Sequence, residues 1–150
     1  MKKLLFMLLT LFLVTTIACA NDSENGANMK VKISITSGSG SHELTATLSD
    51  NSSAEAFYKL LQSGAVAVKM HDYGSFEKVG LLPKSLPRND KQITTSAGDI
   101  ILYQGKQITI YYDKNSWNFT RLGKVDGLSQ FELKSILGKG DVAATFKILK

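Results

Sequence analysis

From Lys30 to Ile35 apolar and polar residues take strict turns, with Val31, Ile33 and Ile35 on one side and Lys30, Lys32 and Ser34 on the other. After the Ser-Gly-Ser-Gly-Ser run of Ser37 to Ser41 the alternation resumes at Leu44, Ala46 and Leu48. Side chains of an extended chain leave it on opposite faces with a period of two, so this pattern is a pair of half-buried strands joined by a turn. Further strands are expected at Val66 to Met70, Asp99 to Gln104, Gln107 to Tyr112, Asn118 to Val125 and Val142 to Ile148, with Gly105-Lys106 as a two-residue hairpin connection. Helical spacing occurs twice. Ser52 and Glu55 make a capping box ahead of Phe57, Leu60 and Leu61, and Gly64 ends that helix. Ser129 and Glu132 repeat the box, with Leu128 and Leu133 at the staple positions and Gly138 as the stop.

Between these elements, His71 to Asp90 carries both prolines, Pro83 and Pro87, and forms a long excursion whose one regular signal is a short strand near Lys78 to Leu82. Seven or eight short strands with two short helices, without strand-helix-strand alternation and without a repeat, define a mainly β class. Closing such strands into a small barrel removes their exposed edges, and the helices then cap its ends. Hydrophobic residues at 43% and charged residues at 21% give the ordinary globular mixture, which excludes a disordered chain. The formal net charge is +5, yet the lysines are spread singly, without the basic run that nucleic-acid binding would call for.

Met1, Lys2 and Lys3 precede an apolar stretch from Leu4 to Ile17 and small residues around Cys19, the pattern of an export signal over residues 1–18. The apolar run is shorter than the roughly 20 residues of a membrane-spanning helix, and the polar segment Asn21 to Asn28 follows at once. Cys19 is the single cysteine, so no internal disulfide forms. The run Thr15, Thr16, Ile17, Ala18, Cys19 resembles the lipobox of bacterial lipoproteins, whose cysteine is acylated. Each buried methylene adds about 0.8 kcal/mol, so several acyl chains on Cys19 would hold the protein on a membrane. Residues 19–29 would then be a flexible tether and residues 30–150 the folded domain. The alternative is soluble secretion with cleavage before Asn21, which Ala18-Cys19-Ala20 also fits.

Three stretches carry a resemblance. They are Thr94 to Tyr103 (TTSAGDIILY), Gln107 to Tyr112 (QITIYY) and Phe119 to Gly127 (FTRLGKVDG), joined by Asp72-Tyr73-Gly74 and Leu82-Pro83-Lys84-Ser85-Leu86 in the excursion. Together they resemble the bacterial cyclophilin-like domain family over about Lys30 to Lys150. The resemblance implies a closed eight-stranded barrel with two capping helices, related in shape to the cyclophilin prolyl isomerases. The isomerase signature, a strand-borne Phe-His-Arg followed by Phe-Met-Gln-Gly-Gly-Asp, has no counterpart, since neither His42 nor His71 precedes an arginine.

Prolyl isomerisation needs an apolar pocket and a fixed donor near the imide nitrogen, to lower a rotation barrier near 18–20 kcal/mol. Arg88 and Arg121 are the two arginines. Alternation places Arg121 on one strand face with Phe119 and Gly123; the competing reading is a solvated residue packing its stem on Phe119. Arg88 is expected to point into water. His71, Asp72 and Glu77 are close in sequence but make a weak ligand set, and no metal or other cofactor is expected. Gly138-Lys139-Gly140 follows a helix instead of opening one, so it is a cap and not a phosphate cradle. There is no Gly-x-Ser-x-Gly nucleophile elbow in a strand-to-helix setting. Among Tyr73, Phe76, Tyr111, Tyr112, Trp117 and Phe119, alternation lets only half of each strand's rings face one way. The expected ligand contacts are Tyr73, Phe76, Tyr112, Trp117 and Phe119, in a groove for a peptide or small apolar ligand. The resulting expectation is an exported cyclophilin-like barrel of the bacterial cell envelope, acting as a binding or accessory module on a membrane or free in the periplasm. The alternative is a divergent peptidyl-prolyl cis-trans isomerase using Arg121.

Overall fold

Nine strands and two helices succeed one another in the computed structural model, which describes residues 29–150. They are β1 (Lys30–Ser37), β2 (Gly40–Leu48), α1 (Ser52–Gln62), β3 (Val66–Tyr73), β4 (Glu77–Leu81), β5 (Lys91–Thr94), β6 (Asp99–Tyr103), β7 (Gln107–Tyr111), β8 (Ser116–Val125), α2 (Gln130–Leu137) and β9 (Val142–Ile148). The export segment 1–18, Cys19 and the tether up to residue 28 lie outside the described residues. Met29 is buried, and its carbonyl accepts a hydrogen bond from the Leu48 amide.

The strands pair antiparallel in the order β2-β1-β9-β3-β4-β7-β6-β8, and β8 then pairs with β2, closing the ring of eight. The expected closed barrel is therefore the fold. At the closing seam Ala46 faces Val125, Thr47 faces Lys124 and Leu48 faces Gly123. The backbones come so close there that a Cβ on Gly123 would lie 2.5 Å from the Thr47 carbonyl oxygen, well inside contact distance. The inner faces of the strands, with Val31, Ile33, Ile35, Ile100, Leu102, Ile108, Ile110 and Phe146 fully buried, form one continuous core. Phe57 of α1 meets Phe146 edge-on at 5.7 Å, and Leu133 and Leu137 of α2 enter the same core.

The second capping box forms as expected, Ser129 and Glu132 each bonding the other's backbone, and Gly138 ends α2. The first does not. Asn51 is the N-cap of α1, accepting from the Ala54 amide at 2.9 Å, because asparagine one position earlier caps as well as serine does. Ser52 and Ser53 are thereby free to hold the excursion: Ser53 Oγ donates to the Pro87 carbonyl at 2.5 Å, and Asn89 Nδ2 donates to both hydroxyls.

The excursion itself is shorter than expected. β3 continues to Tyr73 and β4 returns through Glu77–Leu81, so only residues 82–90 are irregular, and β5 follows immediately and pairs with β8 outside the ring. β4 gave little periodic signal because its first four residues are buried on both faces. The β6–β7 connection also departs from Gly105-Lys106: the positive φ angles fall on Gln104 (50°) and Gly105 (71°), and β6 ends at Tyr103. Gly105 also carries a close approach, since a Cβ there would lie 2.9 Å from the Leu86 carbonyl oxygen.

Lys78, on the inner face of β4, is fully buried, yet all three of its N–H bonds are used. Its Nζ donates to Asp72 Oδ1 at 2.9 Å and to the carbonyls of Gly138 at 3.0 Å and Gly140 at 2.7 Å, tying the end of α2 to the barrel. The Tyr112 hydroxyl donates to the same Asp72 oxygen at 2.5 Å. Burial would raise the Asp72 pKa, but the bonds from Tyr112 and Lys78 outweigh it and hold the carboxyl below its usual range.

Two measurements check this account. Gly123→Ala forces the seam apart and is expected to destabilise the fold by about 2 kcal/mol, read as a lower urea midpoint with an unchanged slope. Lys78→Met keeps the side-chain volume but strands Asp72 and two carbonyls, so a loss of about 3 kcal/mol is expected in the same measurement.

Candidate functional site

Because side chains alternate, residues of neighbouring strands that skip the core come together on the outer surface of the ring. Glu77 lies opposite Tyr111, Val79 opposite Thr109 and Leu81 opposite Gln107 across the β4–β7 pairing, while Tyr103 lies opposite Gln107 across β6–β7. With His71 and Tyr73 from β3, Asn115 before β8, and Trp117 and Phe119 on it, these side chains, Leu81 apart, line a cavity of about 360 Å³. That volume falls within the range of small-molecule sites. A second depression of about 380 Å³, lined by Leu81, adjoins it and shares His71 and Gln107.

Aromatic packing shapes the walls. Ile101, Tyr111 and Phe119 form a small apolar cluster outside the ring, separate from the core, with Phe76, Ile93 and Tyr103 packed around it. Phe76 stacks on Tyr111 at 6.0 Å, Tyr111 meets Phe119 at 5.7 Å, and Tyr103 meets Phe119 edge-on at 6.3 Å. The turn at Gly74 and Ser75, both with positive φ, brings Tyr73 against Phe76 at 5.9 Å. β5 extends β8 beyond the barrel, pairing Ile93 with Trp117, and so holds the indole over the cavity mouth with 59% of its surface exposed.

Polar side chains interrupt these aromatic walls, His71, Gln107 and Asn115 among them, and two polar atoms are left without a partner. Glu77 Oε2 and Thr109 Oγ1 are the buried side-chain atoms without a hydrogen-bond partner among the described residues, and both residues line this cavity. Burial pushes the Glu77 carboxyl above its usual range, with the Tyr111 hydroxyl and His71 pulling it partly back. Burial together with Glu77 raises the Tyr111 hydroxyl in turn.

Of the expected site residues, Tyr73, Trp117 and Phe119 line the cavity, and Phe76 supports it from behind Tyr111. Tyr112 lies on the opposite side of its strand, against the core, with its hydroxyl on Asp72. Arg121 does not line the cavity; its guanidinium donates to Asp99 at 3.1 Å, and Asp99 is buried. Nor does it share a face with Gly123. Ile100 pairs with Gly123 and Ile101 with Arg121, so the extra residue Leu122 shifts the alternation. Arg88 pairs with Asp90. His71 and Glu77 face the cavity, but Asp72 between them turns to Lys78, so the three do not converge.

Of the other lining residues, Tyr111 stands in the aromatic group and His71 and Glu77 in the weak ligand set without being expected at the groove, and sequence reasoning singled out none of Val79, Tyr103, Gln107, Thr109 and Asn115. For Tyr111 a signal existed: Ile108 and Ile110 define the inner face of β7, which sends Tyr111 outward and the next residue inward.

An eight-stranded antiparallel ring with two helices is the architecture of the cyclophilin-like class. The model of the Cyclophilin-like family matches residues 37–147, and the chain belongs to that family. The solution structure of a hypothetical protein from Archaeoglobus fulgidus is similar, with a TM-score of 0.57 and 14% identity over 81% of this chain and 96% of that one. At that identity the likeness is one of fold. No match was found among curated proteins.

The Glu77 carboxyl yields a stability prediction. A carboxyl whose pKa is raised by folding adds stability that is whole below its unfolded value of 4.5 and is lost as pH rises through the folded value. Glu77→Gln removes that loss. The variant is expected to melt about 3 °C above the parent at pH 7, what about 1 kcal/mol is worth in a domain of this size, with the gap closing below pH 4.5. Thermal scans at the two pH values check it.

Proposed function

We propose that this protein is an exported binding module of a bacterial cell envelope whose ligand, a peptide or a small molecule, lies in the groove on the outer barrel wall. One observation carries the reading: both residues that hold an unpartnered buried polar atom among the described residues line the same aromatic cavity, where a bound molecule is the available partner. The adjoining depression over Leu81 lengthens the groove to one that suits an extended chain. Arg121, held by Asp99, argues against the alternative of a prolyl isomerase, which needs a donor aimed into the apolar pocket. Export and a lipid on Cys19 rest on the pattern of residues 1–19, which would place the barrel at the membrane surface on a short tether.

Trp117 is the chain's single tryptophan and stands at the cavity mouth, so its fluorescence reports occupancy directly. Titration with a mixed-sequence tripeptide pool is expected to shift its emission, and Phe119→Ala to weaken the response about tenfold. An emission that no peptide or small amphiphile moves would overturn the reading. In parallel, the protein is expected to leave cis/trans exchange of a short Xaa-Pro peptide unaccelerated; acceleration abolished by Arg121→Ala would favour the isomerase. For the anchor, the expected mass of the mature protein is that of an acylated Cys19, and an unmodified start at Asn21 would mean soluble secretion.

A further inference from the structure

Among the described residues, five carboxylates are buried or half-buried, and four of them have a cation. Asp99 has Arg121 at 3.1 Å and Lys124 at 3.5 Å, Asp72 has Lys78 at 2.9 Å, Asp113 has Lys134 at 2.9 Å, and Asp126 has Lys30 at 3.0 Å. Glu77 is the fifth. It is 7% exposed and its Oε2 has no partner; the cavity it faces holds the Tyr111 hydroxyl and His71 but no lysine or arginine, and Lys69 lines only the adjoining depression. A chain with a surplus of lysines has thus left its one unpaired buried carboxylate facing a pocket.

An isolated buried carboxylate is costly unless a cation and hydrogen-bond donors reach it. Around this one stand the rings of Tyr73, Tyr103, Tyr111, Trp117 and Phe119, whose negative faces attract cations. Thr109, diagonal to Glu77 across the β4–β7 pairing, offers a second free oxygen. We propose that the groove takes an organic cation, an alkylammonium group of the kind a lysine side chain carries, with Glu77 as its counter-ion and the aromatic rings flanking it. The ammonium donates to Glu77 Oε2 and Thr109 Oγ1, and its alkyl stem lies along Val79 and Phe119. This rests on the binding role proposed above and adds the charge class of the ligand.

The test is a titration of the protein, followed by Trp117 fluorescence, with acetyl-Ala-Lys-Ala-amide, its norleucine and glutamate counterparts, and free cadaverine. The lysine peptide is expected to bind about tenfold more tightly than the norleucine peptide, and the glutamate peptide most weakly. In Glu77→Gln, expected to be the more stable protein, the lysine preference should fall to near parity while norleucine binding is retained. Cadaverine matching the lysine peptide would make a free amine the natural source of the cation, and cadaverine binding more weakly would make it a peptide; either supports the assignment. Equal binding of the lysine and norleucine peptides to the unaltered protein, or a lysine preference that survives Glu77→Gln, would overturn it and leave the groove a neutral peptide site. If no probe moves the emission, the binding role falls as well.

Discussion

The barrel exists because β2 and β8 meet. Eight antiparallel strands could equally form an open curved sheet with two exposed edges, and the three-residue pairing of Ala46, Thr47 and Leu48 with Val125, Lys124 and Gly123 is what removes them. The contact is short, so it depends on Gly123 to let the backbones approach and on a polar clasp beside it. Lys30 Nζ donates to Thr47 Oγ1 at 2.6 Å and to Asp126 at 3.0 Å, and Thr47 Oγ1 donates to Asp126 at 2.8 Å. Closure divides every strand into an inner face that fills the core and an outer face available for another purpose.

β4 shows that division at adjacent residues. Lys78 points inward and is saturated, each N–H matched to an oxygen, so a buried charge serves to fasten α2 to the barrel. Glu77, its neighbour, points outward among aromatic rings with its Oε2 left unpartnered. The first arrangement is spent wholly on stability. The second costs stability in the free protein, and under the proposed binding role it keeps a charge for the ligand, the compromise expected where a fold carries a site.

Membership of the cyclophilin-like family fixes the shape and leaves the activity open, because function resides in the site and not in the barrel. In this chain the outer wall holds an aromatic pocket with a buried acid, while the nearby arginine is committed to Asp99. The binding role proposed for this chain rests on that pocket and not on the barrel.

Much of this was legible in the chain itself. The alternation at Val31, Ile33 and Ile35, the box at Ser129 and Glu132 and the glycine-rich turns are local signals, and local sterics and hydrogen bonding suffice to set strands, a helix start and a mainly β barrel. Tertiary structure decided what depends on partners distant in sequence. Nothing near Glu77 distinguishes it from Asp72, yet Asp72 meets Lys78 and Glu77 lines an aromatic pocket. Nothing near Arg121 reveals that Leu122 is an extra residue which shifts the face of Gly123. β5 becomes a strand only because the outer half of β8 offers it unpaired backbone groups. Charge and backbone polarity are satisfied or left wanting by whatever the closed ring brings alongside, and that is a property of the register between strands and not of any one of them.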